Sequence, residues 1–164
     1  MILGMSLGTF TAVHVVLSLV GVLAGLVVLA GMLGARRLPG WTALFLVTTV
    51  LTSVTGFLFP FKQFGAPHAF GVISLIVLAV AILGLYTYKL AGSWRWLYVV
   101  CSLLALYLNV FVGVVQAFQK LAPLNRLAPT QSEPPFAVAQ LVVLVLFVVL
   151  GIRAVKRFHP TPPP

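Results

Sequence analysis

The chain has 164 residues, 62% of them hydrophobic and 7% charged, with a mean hydropathy of +1.18 and a formal charge of +9. A water-soluble domain carries roughly 25% charged residues, so these side chains cannot cover a water-facing surface and lipid is the expected solvent. The positive charge forms no patch or stripe of the kind that binds nucleic acid; it sits at the ends of apolar runs, where membrane proteins keep their topology signals.

Aspartate is absent and Glu133 is the single acid, which excludes paired-carboxylate catalysis and an all-protein calcium or magnesium cage within one chain. The lone Cys101 lies in an apolar run and excludes an intramolecular disulfide and a CxxC site.

In chain order, the N-terminus lacks a basic n-region and leads into an apolar run without a cleavage-like break. A first membrane span over residues 11–35 is predicted rather than a signal peptide, closed by Arg36 and Arg37. A second span covers 41–60. An aromatic hairpin from Phe61 to Pro67 then turns the chain, and Pro67 suits the first turn of a third span over 67–88. After a turn at Gly92-Ser93, a fourth span covers 94–118. The connection LAPLNRLAPTQSEPP holds four prolines and no helical period, so no helix is expected in it. Ser132-Glu133-Pro134-Pro135 reads as a helix start for a fifth span over 136–152, with Glu133 either pairing with Lys120 or Arg126 or favouring the positive end of that helix. The Pro-rich residues 159–164 are expected to be a disordered tail. The expectation is one all-α domain over 1–158, a polytopic bundle of five transmembrane helices.

Orientation follows from basic residues. Arg36, Arg37, Lys89, Arg95, Arg153, Lys156 and Arg157 fall on one side; Lys62, Lys120 and Arg126 fall on the other. The positive-inside rule places the N-terminus outside and the C-terminus in the cytoplasm, hence a multi-pass protein of the inner (plasma) membrane. Trp41, Trp94 and Trp96 mark the inner interface, with Tyr86, Tyr88 and Tyr98, and Phe57, Phe59, Phe61 and Phe64 the outer.

Counting helical rise from the basic ends puts His14 and His68 at a similar outer depth. Thr11, His14, Ser18, Gly21 and Gly25 form one stripe on the first span; His68, Gly71 and Ser74 begin another on the third. Small residues beside a histidine admit a flat ligand or a neighbouring helix, and the helix is the commoner case. The pair is therefore a candidate for packing, for haem or metal ligation, or for proton transfer. Met1 and Met5, on the same side, are possible soft ligands for Cu(I). On the fourth span Ser102, Asn109, Gly113, Gln116 and Lys120 share a face, and an unpaired Asn109 amide in hydrocarbon would be costly. His14, Ser18, Thr52, Thr55, His68, Asn109, Gln116 and Gln140 outline a polar cavity open to the outer face above an aliphatic inner half. A conducting path needs polar lining at both ends.

TGFLFPFKQFGAPHAFGVISL, WRWLYVVCSLLALYLNVFVGVVQAFQKL and LAPTQSEPPF resemble segments of small multi-pass bacterial inner-membrane proteins that carry no assigned activity. The resemblance implies multi-pass membrane location and nothing more. The chain differs from four-helix b-type cytochromes, which pair histidines at two depths. The expected function is a non-catalytic accessory or ligand-binding membrane subunit, with other membrane subunits or a second copy as partners. The alternatives are a redox protein holding haem b, copper or a quinone through His14 and His68, with Asn109 and Gln116 nearby, and a transporter or channel component.

Overall fold

Each apolar run forms a helix whose ends are set by local chemistry. The computed structural model describes residues 2–60 and 63–160, and among these the regular structure is entirely helical. The helices are α1 (Leu7–Leu33), α2 (Pro39–Gly56), α3 (Ala66–Ile82, continued by a π-helical turn Leu83–Thr87), α4 (Trp94–Lys120), α5 (Ala122–Leu127) and α6 (Pro134–Arg157). Four of them, α1, α3 with its π turn, α4 and α6, are long and apolar enough to cross a membrane. Helix α2 is less apolar, because five threonines and a serine fall among its 18 residues.

Several boundaries differ from the sequence reading. Helix α1 starts earlier than residue 11 because the Ser6 hydroxyl caps the Thr9 amide. Helix α2 stops at Gly56, short of residue 60, and the chain turns at Phe57 and Leu58; Pro60 disfavours helical backbone at the residue before it. The connection expected to be irregular contains α5, with Pro123 in its first turn, where a missing amide hydrogen is harmless, and the Asn125 amide donating to the Phe118 carbonyl. Helix α6 starts at Pro134 behind Glu133, as expected, but runs past residue 152 to Arg157. Its last carbonyls, Val155 and Phe158, accept from the Arg95 guanidinium at 2.9 and 3.0 Å. The expected tail beyond residue 160, the hairpin residues Phe61 and Lys62, and Met1 lie outside the described residues.

Consecutive long helices run antiparallel. Side by side along α1 and α2 come Gly31 with Leu38, Gly25 with Phe45, Gly21 with Thr48 and Thr49, and His14 with Thr55. Helix α3 lies on the other side of α2, joined through Ser53 and Ser74. Helix α4 packs on α3 and α1, and α6 lies outermost against α4 and α1, with Ala154 its one buried residue. The seven basic residues of one predicted face gather at one end of this bundle. The core fills the half nearest that end, with Val28, Met32, Phe45, Leu78, Val99 and Leu106.

Helix α1 ends in a Schellman motif: the Arg36 amide donates to Gly31 and the Ala35 amide to Met32, with Ala35 at φ 53°. That left-handed position normally takes glycine. Ala35→Gly should therefore stabilise the protein by about 1 kcal/mol, seen as a higher melting temperature in detergent; an unchanged or lower one would contradict the motif's strain.

The Glu133 carboxylate accepts from the Thr130 amide and hydroxyl and from the Ser132 amide. Desolvation works to raise its pKa, and these hydrogen bonds together outweigh it, holding the carboxyl below its ordinary 4.5. A depressed carboxyl orders the loop above its unfolded pKa and loses that contribution as pH falls through the lower folded value. Amide exchange at Thr130 and Ser132, corrected for intrinsic rate, should accelerate between about pH 6 and about pH 3, and Glu133→Gln should abolish that dependence.

Candidate functional site

The histidine stripes predicted on the first and third spans both face α2. The stripe on α1 faces α2: the His14 Nδ1 lies 2.8 Å from the Thr55 hydroxyl, and the ring meets Phe59 edge-on. The stripe on α3 faces α2 from the opposite side. Ser74 accepts from Ser53 at 3.0 Å, and a Cβ at Gly71 would lie 2.9 Å from the Phe57 ring. The His68 ring lies against Phe57 and Phe64.

The hydrogen bonds assign different proton positions to the two rings. The Thr55 hydroxyl also lies 2.7 Å from the Leu51 carbonyl, which can accept its one proton. With that proton so placed, His14 donates from Nδ1 and carries its lone pair on Nε2, the form that binds a metal or accepts a hydrogen bond. His68 is reversed: its Nδ1 accepts from the Gly65 amide at 3.2 Å, the side-chain half of a capping box at the start of α3. In the neutral ring the proton is then on Nε2, so ligation through that atom requires a tautomer change that gives up the Nε2 proton. The contacts described for the two histidines are made with different residues.

Deeper along α1, Gly21 faces two helices. A Cβ there would lie 3.2 Å from the hydroxyl oxygens of Thr48 and Thr49 and 3.6 Å from the Asn109 amide nitrogen. Thr48 bonds to the Leu44 carbonyl of its own helix. The hydroxyls of Thr49 and Thr52 and the Asn109 amide nitrogen are buried without a protein partner. Each such orphan costs about 1–3 kcal/mol. On the α4 face beyond Asn109, Gly113 borders open space and Gln116 is exposed.

The remaining candidates serve contacts between or within helices. Ser18 donates to the His14 carbonyl, and Gln140 on α6 donates to the Phe111 carbonyl of α4 at 3.2 Å. Ser102 is fully buried at the core end of the α4 face. Thr48 and Thr49 went unnoticed in the sequence, although the Thr48, Thr52, Thr55 spacing marks one helical face. Among the described residues no group of three or more His, Cys, Asp or Glu side chains could hold a metal ion. Comparison with known proteins finds no matching family model, curated protein or solved structure.

In double-mutant cycles, His14→Ala and Thr55→Val should couple by about 0.5–1.5 kcal/mol, while His14→Ala and His68→Ala should add within about 0.5 kcal/mol. Strong coupling between the two histidine replacements, measured by unfolding in detergent, would instead mean that the rings share an occupant.

Proposed function

We propose that this chain is a small non-catalytic integral membrane protein, an accessory or ligand-binding subunit, crossing the inner (plasma) membrane five times with its N-terminus outside and its C-terminus in the cytoplasm. The fifth crossing is α2. It lies antiparallel along α1, and at about 1.5 Å per residue its length approaches the hydrocarbon core of about 30 Å. Its threonines do not oppose this: Thr42, Thr48, Thr49 and Thr52 are buried against other helices, away from lipid. The orientation rests on the gathering of basic residues at one end.

The ligand-binding role rests on the orphaned Thr49 and Asn109 groups around Gly21, with the orphaned Thr52 hydroxyl one turn further along α2. A small polar molecule or ordered water held there would supply the missing hydrogen bonds, and the open face at Gly113 and Gln116 gives it a mouth. The aliphatic core toward the basic end closes the site below, which favours binding over conduction. The Nε2 lone pair of His14 supports a second reading, in which the occupant is a metal, a haem or a quinone. Partners are the bilayer and other membrane subunits or a second copy of the chain.

The test pairs Asn109→Leu with analysis of what the purified protein carries. Asn109→Leu removes a buried unsatisfied amide, so the empty protein should be more stable by about 1–3 kcal/mol while losing any co-purifying polar compound found by extraction and mass spectrometry. Destabilisation with the bound compound retained would overturn the reading. Oxidised and dithionite-reduced absorption spectra with metal analysis separate the second: a band or metal lost in His14→Ala favours it.

A further inference from the structure

At the basic end a cavity of about 170 Å³ opens where α1 turns into α2. Arg36 and Arg37 stand on its rim, the nearly fully buried Thr42 and Tyr98 supply hydroxyls to its wall, and Val28 and Met32 line it with hydrocarbon. The first turn of α2 belongs to the same wall through Leu38 and Pro39, and no side chain caps it. Two arginines and two hydroxyl-bearing side chains thus line one small space.

No carboxylate side chain is available to neutralise them. Glu133 is the single acid, and it is engaged with Thr130 and Ser132 at the opposite end of the bundle. No acidic side chain of the chain stands beside Arg36 and Arg37. At about 30 Å³ per water, the space suits a phosphate-sized group.

A second feature says what carries that phosphate. Tyr86 lines this cavity and also an apolar crevice between α2 and α3, walled by Leu46, Val47, Val50, Leu51 and Ile82. The crevice runs from the charged end toward the middle of the bundle, along α2. Exposed Trp41 and Trp96 lie at the same end, matching the headgroup level of a bilayer. A charged niche joined to an apolar trough has the shape of an anionic amphiphile, and basic pockets between membrane helices are known to take lipid headgroups.

We propose that this end of the bundle binds one anionic phospholipid, its phosphate held by Arg36 and Arg37 and one acyl chain lying along Val47, Val50 and Ile82. A phosphate could also arrive on a soluble ester, and the test separates the two sources.

Delipidated protein in neutral detergent would be given equal amounts of phosphatidylglycerol and phosphatidylcholine, and retained lipid read by native mass spectrometry; a parallel arm would use glycerol phosphate as competitor. The wild type should retain one phosphatidylglycerol. Arg36→Gln with Arg37→Gln should weaken retention at least about tenfold, whereas Lys156→Gln with Arg157→Gln, equal in charge at the same end, should not. Val47→Trp, which fills the crevice from an exposed position and leaves the arginines intact, should weaken retention too, and it keeps the proposal testable if the arginine pair fails to insert. Equal retention of both lipids by the wild type, or equal loss in the two charge variants, overturns the proposal. Displacement by glycerol phosphate at lipid-like concentration places a soluble ester in the site and overturns the lipid assignment.

Discussion

Of the glycines, Gly25 leaves the least room for a side chain. A methyl group added there would lie 2.5 Å from a Leu106 terminal carbon and 3.0 Å from the Phe45 ring. Three helices, α1, α2 and α4, meet where a side chain has been left out. In lipid no hydrophobic force draws apolar helices together, so close contact between surfaces must do so. One turn earlier, Gly21 repeats the arrangement with polar neighbours.

That pair of glycines divides the bundle along its length. Toward the basic end, Phe45, Leu106, Met32 and Val99 interlock as a dry core. Toward the other end, the same close approach brings Thr48, Thr49 and Asn109 together around Gly21, and above them His14 meets Thr55. Helix α2 belongs to both halves. Its threonines lower its hydropathy, yet most of them are buried among other helices or bonded to carbonyls of their own helix, so the polarity visible in sequence is not presented to lipid.

The two ends differ in chemistry for a reason of charge balance. One carries most of the cations and no acid, with Arg95 holding the last carbonyls of α6. The other holds the single carboxylate, tied into a loop by hydroxyl and amide donors. Cations without an acidic side chain at the same end are the basis of the phospholipid site proposed above. The residues that mark topology thus also build structure: Arg36 and Arg37 follow the Schellman turn that ends α1 and rim the cavity before α2.

The helical fold, the positions of four helices long and apolar enough to cross a membrane, the start of α6 behind Glu133 and the gathering of basic residues at one end were legible in the sequence, because hydropathy, proline and charge act locally. Which stripe faces which helix was not. His14 and His68 share a depth, but α2 lies between their stripes, and a depth count carries no rotation about the bundle axis. The role of Arg95 as a cap and the niche around Gly21 were equally hidden, since each depends on a partner distant in the chain. Sequence alone determined that this chain would be helical, with runs long and apolar enough to cross a membrane; tertiary structure decided which side chains meet, because that choice rests on close approach at glycines whose neighbours belong to other helices.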